Sequence, residues 1–351
     1  MTTQPRLFKA VAVAAFAMFA ATAVRSAEPK EIAGAACDNP PRINCPNSNC
    51  LAALVGNQGP AVEPKSGRHF FVEFPCDLKK REKVNLVLSL HGAGSIGNWQ
   101  RHYFPLTDFK DKYRLVVITP TALTDKPTRT WQPAADDQYL HDVVDLVTAD
   151  IGKQNIRAFW LAGHSQGGMT SRRVICTPYF KDKIDGWIDL SGGRIGAPAA
   201  PARAGAAPAP AADPMANIGC DFNLIYGTGQ LEATGQALPT TSPWADKYHC
   251  DARVDLPDVT DTQAGYVTAT DQTRGPAWGR FARPGVAKVY VFPKCDGGRV
   301  VADINRIDKG HTEGYEPHIT ETMIKLMVAA PVLKGPRATV KAASTKTAKK
   351  A

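Results

Sequence analysis

No apolar run in this chain makes a comfortable membrane span: the one at residues 10–24 is too short and too rich in alanine. No CxxC pair and no nearby histidine accompany Cys45 and Cys50, so a zinc set of ordinary spacing is missing there. Neither the first 27 residues nor the last 18 contain an acid. Those two segments hold Arg6, Lys9 and Arg25, and Lys334, Arg337, Lys341, Lys346, Lys349 and Lys350, which together equal the formal charge of +9. The body between them is electrically balanced, and nucleic-acid binding through a basic surface is disfavoured. With 44% hydrophobic and 21% charged residues the composition is that of an ordinary globular protein, so disorder is confined to segments.

What is present begins with a leader. Arg6 and Lys9 precede the apolar run, and Ala21-Thr22-Ala23 offers a small-x-small cleavage site, so residues 1–27 form a signal peptide and the mature chain is secreted or periplasmic. Cleavage after Ala27 is the other option. Eight cysteines remain, an even number that in an oxidising compartment favours structural disulfides over metal, with about 105 connectivities if all are paired. Residues 28–67, rich in Cys, Pro, Asn and Gly, predict a loop-dominated extension pinned by disulfides against a main domain at 68–333. Residues 196–214, nearly all Ala, Pro and Gly, predict a flexible insertion, and residues 334–351 a disordered basic tail.

Within the main domain, apolar runs alternate with helical spacing. Residues 69–74 fit an early strand, and residues 84–90 (VNLVLSL) and 115–119 (LVVIT) fit strands covered on both faces. Leu140, Val143, Val144, Val147 and Ile151 recur at helical spacing, with Asp136 or Asp137 as the expected N-cap. A strand at 158–162 follows, then a helix at 169–175. Further strands fall at 186–190, 222–226 and 300–307, and an amphipathic helix at 316–329. This order predicts an α/β domain with a mostly parallel sheet and helices on both faces.

The candidate chemistry lies at the ends of these strands. Gly163-His164-Ser165-Gln166-Gly167 stands between a strand and a helix, where a sharp turn exposes the serine hydroxyl and needs glycine on each side. Ser165 is the candidate nucleophile, and the Gln166 N–H at the helix start a candidate oxyanion donor. His91-Gly92-Ala93-Gly94 ends the 84–90 strand, with Ala93 as the second backbone donor. His311, after the last strand, is the candidate base. The orienting acid should follow the 222–226 strand. Glu232 is the nearest carboxylate there, with Asp221, Asp258 and Asp261 left open.

These features form a recognisable set: the LHGAG loop, Trp131 ahead of DDQYLHDVVDLV, GHSQGG, Cys176 ahead of TPYF, the strand ending YGTG, Cys250 and Cys295, and GHTEG. On them, residues 69–330 resemble the secreted α/β-hydrolase esterases grouped with polyhydroxybutyrate depolymerases and with feruloyl and acetylxylan esterases. The resemblance implies a carboxylic ester hydrolase working through an acyl-enzyme on small or polymeric esters. No metal and no organic cofactor is implied. Ser165 and His311 would be catalytic, Ala93 and Gln166 would form the oxyanion hole, and Cys250 would pair with Cys295. Two departures stand out. Relatives carry HGTxD where this chain has YGTGQ, which puts Gln230 at the acid position, and GHTWP where it has GHTEG, which bears on the shape of the substrate pocket. The first departure motivates a second reading, a non-catalytic binding protein on a hydrolase scaffold that has lost its acid.

Overall fold

The structure is a computed structural model, and it describes residues 31–37, 42–45, 51–123, 128–193, 218–236, 238–268 and 274–334. The leader, the insertion at 196–214 and all but the first residue of the basic tail lie outside the described residues.

In chain order the elements are β1 (Glu31–Ile32), β2 (Ala35–Ala36), α1 (Leu51–Val55), β3 (Ala61–Val62), β4 (His69–Glu73), β5 (Val84–Leu90), α2 (Gly97–Tyr103) and α3 (Lys110–Tyr113). There follow β6 (Leu115–Pro120), α4 (Ala135–Ile151), β7 (Ile156–His164), α5 (Gln166–Ile175), β8 (Gly186–Leu190) and β9 (Asn223–Gly229). The chain closes with α6 (Pro243–Lys247), β10 (Val254–Asp261), β11 (Gly285–Val291), β12 (Val301–Arg306) and α7 (Pro317–Ala329). Ten strands make one sheet in the order β10-β11-β12-β9-β8-β7-β5-β6-β4-β3. The six from β12 to β6 run parallel, and antiparallel strands flank them on both sides.

Continuous apolar runs become central strands here because both faces are covered. Side chains alternate across a strand. Leu86, Leu88, Phe159 and Leu161 therefore join one core with Leu140, Val143 and Val147 of α4. Val87, Trp160 and Ala162 join the other with Trp99 and Tyr103 of α2 and Ile319, Met323 and Met327 of α7. This is the α/β-hydrolase architecture expected from the sequence, with its parallel strands ending at one common edge.

Two expectations need correction. Neither Asp136 nor Asp137 caps α4: the N-cap is Ala134, at φ 67°, and both acids sit in the first helical turn. The buried Asp136 carboxylate instead accepts the N–H groups of Gln132 and Leu123 and pairs with Arg68, so it ties a loop down rather than ending a helix. The sequence reading also lacked β10, a mostly exposed strand whose pairing carries a register shift, and its neighbour β11, most of whose residues are half-buried.

The N-terminal extension is more structured than a loop, since β1, β2, α1 and β3 lie in it. It is fastened by Cys37–Cys76, by the Ala33 N–H to Asp150 and by the Ile43 N–H to His102. Two more disulfides join Cys176 to Cys220 and Cys250 to Cys295, the latter being the pair that the resemblance implied. Cys45 is disulfide-bonded as well. Disulfides belong to oxidising surroundings, and among the described residues no helix is long and apolar enough to cross a membrane.

Candidate active site

Ser165 occupies the turn between β7 and α5 with φ 52° and ψ −119°, a backbone region that L-residues rarely adopt. Such strain persists only where the surroundings impose it. Here the Ser165 N–H is held by Leu190 O at 2.8 Å, and its carbonyl accepts the Met169 N–H at 3.1 Å. The flanking glycines follow from contact distances. A Cβ on Gly163 would overlap the backbone of Gly167, and one on Gly167 would overlap the carbonyl oxygens of Leu90 and His91. Gln166 is the first residue of α5, so its N–H has no acceptor within the helix and points with the positive end of the helix dipole. Its side chain faces the other way, accepting the Trp131 N–H at 3.1 Å.

The loop after β5 comes up against this turn. A Cβ on Gly92 would stand 3.2 Å from Ser165 Cβ and 2.8 Å from His164 Nδ1, so the loop reaches the serine only because residue 92 has no side chain. The Gly94 N–H to Arg129 O bond and the Trp131 Nε1 to His91 O bond hold the loop from its far side. His91 is fully buried beneath it. Its Nε2 accepts the Ala122 N–H, so its Nδ1 carries the proton and donates to Gly92 O at 2.7 Å. Burial pushes its pKa down to about 3, which keeps the ring neutral. Ala93 itself is exposed at the tip of the loop.

On the other side stand Glu232 and His311. Glu232 follows β9 in a tight turn whose closing bond runs from the Glu232 N–H to Gly229 O. Its Oε1 accepts from the Gly229 N–H and from Ser191 Oγ, both at 2.8 Å, and Oε2 lies 2.8 Å from His311 Nδ1. A carboxylate only accepts, so Nδ1 must donate and the lone pair of the neutral ring sits on Nε2. That Nε2 is buried and has no hydrogen-bond partner among the described residues, the Ser165 hydroxyl included. The two loops are nevertheless tied together: His164, next to the serine, donates from Nε2 to His311 O at 2.9 Å, and the two rings lie 4.7 Å apart. Burial first, and the neighbouring His311 second, lower the His164 pKa well below the usual range, so it is a neutral strut.

The structure thus brings Glu232 to His311, and Gly92 and His164 to Ser165. The other carboxylates considered lie elsewhere: Asp221 with Lys247 and Arg299, Asp258 with Lys288, and Asp261 accepting the His318 N–H. Gln230, at the position where relatives carry the acid, accepts the Asp308 N–H and leaves the carboxylate to the residue two further on. Glu313 is fully buried, so the change from GHTWP to GHTEG does not place its side chain on a pocket wall.

Sequence reading missed two residues here and gave a third, Glu313, a different part. Ser191, at φ 58° after β8, donates to Glu232, and no motif announces it. Trp278 packs against the His311 ring at 4.8 Å from a loop 33 positions upstream. Glu313 braces the loop that carries His311.

Comparison with known proteins agrees on the architecture. The sequence model described as "Alpha/beta hydrolase family" matches residues 87–327. No curated protein matches the sequence. Among solved structures, acetyl xylan esterase from Aspergillus awamori aligns at 11% identity over 78% of this chain and 96% of its own, with a TM-score of 0.43. A fluorophosphonate-binding serine hydrolase of Staphylococcus aureus, FphF, aligns at 16% identity over 51% and 79%, with a TM-score of 0.33. Esterase 2 of Thermogutta terrifontis aligns at 16% over 47% and 66%, with a TM-score of 0.32. Likenesses this distant carry no argument about activity.

Proposed function

Given that the chain belongs to the alpha/beta hydrolase family, we propose that it is an exported serine esterase that cleaves carboxylic esters through an acyl-enzyme. The observation that carries this reading is the 2.8 Å contact between Glu232 and His311 Nδ1, which leaves the Nε2 lone pair to take a proton.

In the proposed first step His311 Nε2 accepts the Ser165 proton as Oγ bonds to the ester carbonyl carbon. The carbonyl oxygen takes the negative charge and faces the backbone N–H groups of Ala93 and Gln166. The bond to the alcohol oxygen then breaks, and His311 returns the proton to that oxygen. In the second step water, deprotonated by the same ring, attacks the acyl carbon and Ser165 recovers its proton. Glu232 keeps its charge throughout, orienting the ring and offsetting the imidazolium. Polymeric hydroxyalkanoates, hydroxycinnamoyl esters and acetylated sugars all suit this machinery, and the polyhydroxybutyrate depolymerase-like and feruloyl or acetyl esterase-like activities are its finer forms. The binding-protein reading started from a missing acid. Glu232 supplies a carboxylate at the required atom, so the hydrolase is preferred.

The test is Ser165→Ala. Turnover of 4-nitrophenyl acetate is expected to vanish while thermal unfolding stays within about 2 °C, since Ser165 is only half-buried and losing one hydroxyl there costs little stability. Activity equal to wild type in the folded variant would sink the assignment.

A further inference from the structure

Beyond the triad, one buried charge stands beside the proposed base. Glu313 lies two residues after His311 with no solvent exposure. Its Oε1 accepts the Gly310 N–H at 3.0 Å and the Arg280 N–H at 3.1 Å. Its Oε2 pairs with Arg283 Nη1 at 2.8 Å and lies 3.8 Å from Lys309 Nζ. One carboxylate is therefore shared between the loop that carries His311 and the segment at 275–283.

That segment is laid along the His311 loop. The His311 N–H donates to Ala277 O at 3.1 Å and the Thr312 N–H to Trp278 O at 2.8 Å. A Cβ on Gly310 would overlap Pro276 O and the backbone of Gly279, so the two chains touch only because glycine stands at the crossing. The result holds the Trp278 ring against the His311 imidazole. Behind the loop, Arg306 donates to the carbonyl oxygens of Glu313 and Gly314 and pairs with Glu316, which also holds Lys309.

We propose that Glu313 is a positioning residue for His311, its carboxylate clamping the His311 loop to the Trp278 segment so that the ring stays aligned between Glu232 and Ser165. This rests on the reading of His311 as base. The physical ground is that removing this buried carboxylate leaves the Gly310 and Arg280 N–H groups and Arg283 Nη1 without their acceptor, although Arg283 Nη2 keeps Asp308. The loop must then shift to satisfy them. A displacement of about 1 Å at a catalytic group costs about 100-fold in rate.

Two readouts test this. One is the far-downfield proton resonance of His311 Nδ1–H, which reports the bond to Glu232 whether or not ester is turned over. The other is kcat and KM for 4-nitrophenyl acetate. Glu313→Ala is expected to broaden or lose the resonance and to lower kcat about 100-fold, with KM changed by less than about threefold. Glu313→Gln keeps an oxygen for the two N–H groups but loses the charge facing Arg283, and is expected to shift the resonance and lower kcat about tenfold. Should the alanine variant not fold, the glutamine variant decides. A folded variant with native resonance and native kcat overturns the proposal. If wild type turned over no ester, the esterase reading would fail while the resonance still decided the role of Glu313.

Discussion

At the scale of single residues, the proposed chemistry depends on which nitrogen of His311 carries the proton. Glu232 accepts from Nδ1, and Ser191 and the Gly229 N–H hold the other carboxylate oxygen. Glu232→Gln would keep the shape but offer an amide that can donate as well as accept, which frees the ring to adopt the wrong tautomer. The expected loss is about 10³–10⁴-fold in kcat, by analogy with the aspartate-to-asparagine change in a serine protease triad. Stopped-assay kinetics on the purified variant check it, and a loss below about tenfold would return the acid to the open list.

At the scale of elements, the turn that carries Ser165 is a contact problem before it is a chemical one. Gly167→Ala pushes a methyl group into the carbonyl oxygens of Leu90 and His91, so β5 and α5 must separate. A cost of about 1–3 kcal/mol is expected, with activity falling further than stability because the turn itself moves. Parallel denaturant titration and ester assay measure both, and unchanged values would mean that the turn relaxes freely. The Cys250–Cys295 disulfide makes the contrasting case. Cys295 lies in the connection between β11 and β12, at the edge formed by the strand ends opposite the His311 loop, where the Asp296 N–H to Tyr248 O bond also joins the two segments. Replacing both cysteines by alanine is expected to remove about 2–4 kcal/mol of stability. Catalysis by the folded fraction should stay near wild type, and a collapse of kcat would show that the two edges are coupled.

At the scale of the molecule, buried histidines link stability to pH. Burial pushes both His91 and His102 down to about 3 from an ordinary value of 6.5. Each is neutral in the fold, so as pH falls below about 6.5 the unfolded chain takes up a proton that the folded chain refuses. Stability contributed by the neutral rings is full above that value and is lost progressively toward pH 3. His102 accepts from the Ile43 N–H and donates to Asn98 O, a pair of roles that a glutamine side chain can fill. His102→Gln should therefore flatten the pH dependence between 7 and 4 by up to about 1.4 kcal/mol per pH unit. Urea unfolding at several pH values in that range compares the two proteins, and parallel curves would show that His102 titrates alike in both states.

Much of this was readable without coordinates, for identifiable reasons. Apolar runs long enough to cover both faces specified the central strands, and the glycines around Ser165 specified the turn, because local sterics leave few other residues there. Chain order placed His311 after the last strand. What only the tertiary structure decided was partnership across distance. Glu232 and His311 are separated by 79 positions, and Ser191 reaches the acid from 41 positions away. Trp278 and Glu313 act across two loops whose contact depends on Gly310 and Gly279. Spacing along the chain encodes local geometry, whereas the meeting of two loops depends on how the whole sheet twists and packs.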